Sequence, residues 1–299
     1  MECVGERNIG KRESGQEDTC KWDRRNRDNK IRHNGNYQNH RTEKVILSKR
    51  LQMLADMVTP DSRVADVGCD HGFLSIYLVQ AKIASRVIAM DVREGPLQAA
   101  REHVKAYGLD TYIETRLSDG MGSCQEGEVD TMVCAGMGGR LMERILRQDM
   151  EQMRRLGELV LQPQSELEEF RIFLREAGFV TDREDMVEEG GKYYPAMRVS
   201  WGGEGQTDGE TGQKLPDPGV SCAAARKEMP IPRVLCDRFG EGLLRDRHPV
   251  LEQYLEWQKA TLLELQGRLS REDSWKAKMR LEEILKERQV VEQALEYYT

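Results

Sequence analysis

No stretch of this chain stays apolar over the ~20 residues that a membrane-spanning helix requires, so helical membrane insertion is not expected. Residues 1–44 contain no apolar segment of the kind a secretory signal carries. The seven cysteines, at positions 3, 20, 69, 124, 134, 222 and 236, include no C-x-x-C pair. Their odd number argues against a disulfide framework, and reduced thiols in a cytoplasmic protein are expected. No internal repeat is present, and no metal-ligand spacing. An excess of positive charge is missing too. The formal net charge is −7 over 299 residues, so a nucleic-acid partner has to be met by local basic patches.

Residues 1–44 are also nearly free of aliphatic side chains, while Arg, Asn, Asp and Gly abound. Such a segment buries too little apolar surface to offset the entropy of ordering, and a disordered tail is expected. A basic arm that touches RNA is the other reading. It rests on 11 Lys+Arg against 8 Asp+Glu in this segment, whereas the remainder holds 34 against 44.

The pattern changes at Val45. Leu47, Leu51, Leu54, Ala55 and Val58 recur at helical spacing and predict an amphipathic helix ending before Pro60. Strand and helix signals then alternate. Strands are predicted at 63–67, 86–91, 112–117, 130–135 and 158–162. The helices between them are predicted at 73–79, at 96–107 with Pro96 as first helical residue, at 140–148, and, after the last strand, at 166–176. Two strands, 179–187 and 193–201, follow with no helix between them. Alternation implies a parallel sheet with right-handed crossovers, and the last pair implies an antiparallel edge.

Residues 202–226 are rich in Gly, Pro and polar side chains and read as a linker or inserted loop. Beyond them, Leu251, Leu255, Leu262, Leu265 and Leu269 mark one helix, and Leu281, Ile284, Val291, Leu295 and Tyr298 a second, with a turn at 270–274. Each holds only about three heptads, which favours an antiparallel hairpin on the main domain over a long coiled-coil dimer. The expected layout is a tail at 1–44, a sheet domain at 45–201, a linker at 202–232 and a coiled-coil-like helical domain at 233–299.

In open α/β sheets a ligand lies beyond the carboxyl ends of the strands, and chemistry-bearing residues gather there. The first strand runs into Ala65, Asp66, Val67, Gly68, Cys69, Asp70, His71 and Gly72. Gly68 allows close approach of a ligand, and Gly72 lets the next helix pack on the sheet. Asp66 suits the amino group of a methionine moiety, directly or through water. A purely structural turn explains the glycines equally simply. Asp91, followed by Val92, ends the second strand about twenty residues on, where an acidic residue binds ribose hydroxyls. Ser118, Asp119 and Gly120 end the third, where a carboxylate can accept from an adenine amino group. A dinucleotide-binding dehydrogenase would also want G-x-G-x-x-G, and position 70 is Asp. The constellation therefore favours S-adenosylmethionine and a methyltransferase.

Two further loops complete this edge. Gly136, Met137, Gly138, Gly139 and Arg140 follow the fourth strand, a low-profile loop that leaves room for a flat base; a plain strand-to-helix turn is the duller account. Gln162, Pro163 and Gln164 follow the fifth. Their amides either read the Watson–Crick edge of a base or cap the next helix.

The runs Leu47-Ser-Lys-Arg-Leu51, Ala65-Asp-Val-Gly-Cys-Asp-His71, Ala135-Gly-Met-Gly-Gly-Arg-Leu141 and Leu161-Gln-Pro-Gln164 together resemble the bacterial tRNA (adenine-22-N1)-methyltransferases, the TrmK family. The resemblance covers residues 45–201 and resumes at Arg238-Phe-Gly240. It implies a class I Rossmann-like sheet, S-adenosylmethionine as donor, N1 of an adenosine in the tRNA D-arm region as acceptor, and a C-terminal helical domain that helps hold tRNA. The stretches 1–44 and 202–226 depart from it as additions.

Adenine N1 carries a lone pair, so methyl transfer needs alignment more than a strong base. Asp70 is the candidate to stabilise the cationic product, with His71 second; contact with cofactor or ordering of the loop are the alternatives for Asp70, and a helix-start role for His71. Arg50 can pair with the cofactor carboxylate or remain a solvated charge. Arg140, Arg144 and Arg147 share a helix face and read as a strip toward RNA phosphate, joined by Lys49, Arg50, Arg154, Arg155, Lys192, Arg245 and Arg247 as further contacts. A monomer or weak dimer is expected. Competing readings are a methyltransferase for another substrate and a silent RNA- or partner-binding module that keeps the fold.

Overall fold

The computed structural model describes residues 43–203 and 230–298. The expected tail, apart from Glu43 and Lys44, and the expected linker between 204 and 229 lie outside the described residues.

Helix α1 (Lys49–Met57) begins where Ser48 accepts from the Leu51 N–H, a Ser N-cap that satisfies one of the open N–H groups of the first turn. Strand β1 (Ser62–Val67), α2 (Phe73–Gln80), β2 (Ala84–Asp91), α3 (Glu94–Ala106) and β3 (Ile113–Leu117) form one half of the sheet. Strand β4 (Thr131–Met137), α4 (Gly139–Gln148), α5 (Met150–Arg155), β5 (Glu158–Pro163), α6 (Leu167–Glu176), β6 (Phe179–Glu189) and β7 (Lys192–Trp201) form the other. The strand order is β3-β2-β1-β4-β5-β7-β6, with β1 to β5 parallel and β7 antiparallel to both its neighbours. The chain reverses direction across the sheet between β1 and β4, which opens a crevice at their carboxyl ends.

Alternate residues of each strand serve opposite faces. Val64, Val87 and Val133 pack with Leu54, Ile76 and Leu97 of α1, α2 and α3. Ala65, Ile88 and Met132 pack with Met142, Ile145 and Phe170 of α4 and α6.

Two expectations shift. Helix α3 starts at Glu94, so Pro96 is its third residue rather than its first; that position still has no intrahelical acceptor for an N–H, so proline costs nothing there. Helix α5 was not expected; at 6 residues it is too short to show a period, and it is capped by Asp149 through the Gln152 N–H.

The C-terminal part comprises α7 (Arg233–Phe239), α8 (Glu241–Arg245), α9 (Pro249–Leu269) and α10 (Trp275–Leu295). The first two, of 7 and 5 residues, escape periodicity for the same reason. Helices α9 and α10 form the expected hairpin, burying Leu251, Leu255 and Leu262 with Ile284 and Val291, and Met186 and Tyr193 of β6 and β7 join this core. A buried ion pair ties the two parts. Arg171 of α6 meets Glu184 of β6 at 3.0 Å, donates to the Asp237 and Arg238 carbonyls, and leaves Glu184 to accept from the Gly242 N–H at 2.9 Å.

Candidate active site

The carboxyl edge of β1, β2 and β4 gathers most of the residues named from sequence. Asp66 is 5 % exposed at the end of β1, and its Oδ2 accepts from the hydroxyl of Ser75 at 2.6 Å. Burial pushes its carboxyl up to about 6, Ser75 opposes that rise, and the nearby Asp91 and Asp70 add to it. Asp91 is equally buried at the end of β2 and accepts from the Arg93 N–H at 2.9 Å. Two enclosed acids at the tips of adjacent strands, with no cation directly against Asp66, make a site that favours a cationic ligand group.

The loop between β1 and α2 has three residues with positive φ: Gly68, Asp70 and Gly72. Gly68 is favoured chiefly by its backbone conformation. Its φ is +79°, and a Cβ there would meet the Met137 Cε at 2.2 Å. Gly72 corrects an expectation: a Cβ at this position would crowd Ala100, so the glycine admits α3 rather than the sheet. Asp70 and His71 are exposed, with the His71 Nε2 3.7 Å from the Asp70 carboxylate. The His71 carbonyl, not its ring, makes the hydrogen bond, to His103 Nδ1 at 2.9 Å. Burial and the three aspartates push the Cys69 thiol far up, and burial pushes Cys134 up to about 12, so neither is a nucleophile.

Beside Asp91, Val92 and Leu117 are 62 % and 53 % exposed. Two apolar side chains left open at strand ends, beside an acid, form a surface for a flat ring; Leu117 was not singled out from sequence. Ser118 orders its own loop, donating to the Gly120 carbonyl and accepting from the Ser123 N–H. Gly120 packs against Ile145 and Gln148 of α4. Asp119 accepts from Arg144 at 3.1 Å.

The β4 and β5 loops meet Arg50. Its Nη1 donates to the Gln162 Oε1 at 3.1 Å, and its guanidinium lies 5.7 Å from the centroid of the Tyr194 ring. Gly136 borders the same group, since a Cβ there would sit 3.6 Å from Arg50 Nη1 and 3.8 Å from Gln164 Nε2. This corrects the reading of Gln162 as a base reader. Its side chain is fully buried, its oxygen is taken by Arg50 and its nitrogen turns to the Pro163 carbonyl at 3.3 Å. Pro163 is buried, whereas Gln164 is exposed and held by its backbone N–H to the Met137 carbonyl at 2.8 Å. Gly138 and Gly139 let the loop lie against Ser165, where a Cβ on Gly139 would come 2.6 Å from the Ser165 carbonyl oxygen.

The arginine strip is exposed but engaged. Arg140 lies 3.7 Å from Glu166, Arg144 pairs with Asp119, and Arg147 bonds Glu143 at 2.8 Å and lies over Phe173. Among the additional arginines, Arg154 pairs with Glu151, Arg155 with Glu126 and Arg245 with Asp246. Exposed pairs of this kind are worth ~0–1 kcal/mol, so a phosphate can displace the carboxylates. The sequence reading missed Ser75 and Tyr194. Ser75 had a faint signal, as the lone small polar residue in the apolar run Phe73–Gln80; Tyr194 had none.

Residues 47–197 match the methyltransferase domain family. The tRNA (adenine(22)-N(1))-methyltransferase of Bacillus subtilis is 34% identical over 151 residues, which is 50% of this chain and 63% of that protein. The match thus spans a little under two thirds of the relative. A crystal structure of the Bacillus subtilis m1A22 tRNA methyltransferase TrmK is 25% identical, with a TM-score of 0.68 over 84% of this chain and 100% of that one. The Streptococcus pneumoniae protein Sp1610, solved with S-adenosyl-L-methionine, is 30% identical, with a TM-score of 0.66 over 84% and 100%.

Proposed function

Because the chain belongs to the methyltransferase domain family and, within it, to the bacterial tRNA (adenine-22-N1)-methyltransferases of the TrmK family, we propose that it methylates N1 of adenosine 22 in tRNA, with S-adenosylmethionine as donor. The observation that carries this reading is the pair of enclosed acids, Asp66 and Asp91, at the tips of the adjacent strands β1 and β2, beside the glycine-containing loops that follow β1 and β4. The residues present fit the donor. The acids supply what an ammonium and a ribose diol require.

When bound, S-adenosylmethionine supplies a methyl group activated by a sulfonium. Asp66 would hold the ammonium, Asp91 the ribose hydroxyls, and Val92 and Leu117 would offer their apolar side chains to the adenine ring. Arg50, which donates to Gln162 and lies over the Tyr194 ring, would take the carboxylate. Asp119 accepts from the adenine amino group once Arg144 is drawn away. The acceptor adenine enters beside Gly136, Met137 and Gln164, extruded from its stack before the pocket can enclose it. Asp70 lies exposed on the neighbouring loop and offsets the positive charge that grows on the methylated base. The protein acts in the cytoplasm as a monomer or weak dimer, and the 249–295 hairpin and the α4 arginines grip tRNA.

The test is methylation of an unmodified tRNA transcript with labelled S-adenosylmethionine, followed by nucleoside mapping. The expected product is 1-methyladenosine at position 22, lost when that adenosine is replaced by guanosine. Label at another nucleotide, or no label in any tRNA, would overturn the assignment.

A further inference from the structure

Ser75 has no part in the roles assigned so far, yet it is the best-placed polar group in the site. It lies in the first turn of α2, fully buried, and its hydroxyl donates to Asp66 Oδ2 at 2.6 Å across nine residues of sequence. The positive φ of Gly72, the N-cap residue, turns α2 back over the end of β1 and aims the third residue of the helix at the carboxylate. The backbone N–H of Ser75 acts on Asp66 in the same sense as the hydroxyl. The other titratable groups around Asp66 all oppose its ionisation or are neutral: Asp91 from β2, Asp70 and the Cys69 thiol from the loop, and the Cys134 thiol from β4. The basic groups beside these acids are Arg93, 3.7 Å from Asp91, and His71, 3.7 Å from Asp70, both more than half exposed.

We propose that Ser75 is a positioning residue for the cofactor site, its hydroxyl holding Asp66 ionised and oriented toward the ammonium of the methionine moiety. The proposal rests on the reading of Asp66 as the ammonium partner. A buried hydroxyl that only satisfies itself would serve as well with any acceptor, whereas one that donates to a carboxylate favours its charged form. In the free protein that form has burial and two like charges against it, and Ser75 is the main group working for it.

The test is calorimetric titration of full-length wild-type protein, Ser75→Ala and Ser75→Thr with S-adenosylhomocysteine between pH 5 and 9. This probe carries the same amino acid moiety without the sulfonium charge. In the wild type, affinity should rise as pH passes through the range where Asp66 ionises, near 6. It should fall again only at the alkaline end of this range, where the ligand ammonium deprotonates, because the adjacent carboxylate holds that ammonium above the range of a peptide amino terminus. Ser75→Ala should move the rising limb upward by about one unit and leave the falling limb in place, so that binding weakens by about tenfold at pH 5 but only by about twofold at pH 7. Ser75→Thr keeps the hydroxyl and should restore the wild-type limb. In an Asp66→Asn background, Ser75→Ala should leave the pH profile unchanged. A Ser75→Ala profile weakened equally at every pH would overturn the proposal while leaving the cofactor reading intact. Wild-type protein that binds neither S-adenosylhomocysteine nor S-adenosylmethionine would instead overturn that reading. If Ser75→Thr does not fold, the comparison of Ser75→Ala with and without Asp66→Asn decides alone.

Discussion

At Asp66, burial and then the neighbouring Asp91 and Asp70 hold the carboxyl up to about 6, against ~3.9 in an unfolded chain. Between those values the native state binds more protons than the unfolded one. Stability therefore falls as pH rises through the window, and the full penalty, on the order of 3 kcal/mol, stands above it. Asp66→Asn should make the free protein more stable than wild type at pH 8 and no more stable at pH 4, while weakening cofactor binding to a level that calorimetry still reads. Urea denaturation at the two pH values checks this; equal gains at both would refute the charge argument. Asp91 has its carboxylate tied to the Arg93 N–H and is still placed to receive a diol. Asp91→Ala should weaken S-adenosylmethionine binding by ~1–3 kcal/mol in calorimetry, and unchanged affinity in a folded variant would remove Asp91 from the site.

Helix α4 and its entry loop lead from the candidate cofactor site to the exposed arginine strip. Gly139 opens the helix against the Ser165 carbonyl, and the obstacle to a Cβ there is backbone, which cannot swing aside. Gly139→Ala should cost roughly 1–3 kcal/mol through forced movement of the β5–α6 loop, read as a lowered melting temperature with weaker activity. Gly68→Ala meets only the flexible end of Met137, so its penalty comes mainly from φ of +79°. Further along α4, Arg144 is held by Asp119 at 3.1 Å. If a phosphate takes Arg144 when RNA binds, replacing it with alanine should lower the salt dependence of tRNA binding by about one unit of log–log slope. An unaltered slope would mean that Arg144 serves Asp119 alone.

The sheet domain and the C-terminal helices are held together by a charged joint inside an apolar contact. Arg171 and Glu184 are 9 % and 2 % exposed, and Arg175 pairs with Asp237 close by. Glu184 fits only because Gly240, at φ +98°, has no side chain; a Cβ there would meet both carboxylate oxygens. Removing one partner of such a pair leaves the other charge buried, so Glu184→Ala should destabilise the protein by ~3–5 kcal/mol. Thermal denaturation measures it, and a loss under 1 kcal/mol would show that water reaches Arg171. Gly240→Ala should act on the same joint from the other side.

Local pattern was enough for most of the architecture. Strand and helix periods predict a parallel sheet with right-handed crossovers and an antiparallel edge, and the leucine spacing predicts the C-terminal hairpin, because each depends on residues near one another in sequence. That Asp66, Asp91, Gly68 and Gly136 sit at the carboxyl ends of strands or in the loops that follow was legible for a related reason, since the strand pattern places them there. Partnerships were not legible. That Gln162 braces Arg50, that Arg144 holds Asp119, that Ser75 faces Asp66 and that Glu184 needs Gly240 depends on contacts across 112, 25, 9 and 56 positions respectively. No period in the chain encodes such contacts. They arise when packed layers bring side chains together, and burial then sets which charges persist and which amides are already engaged.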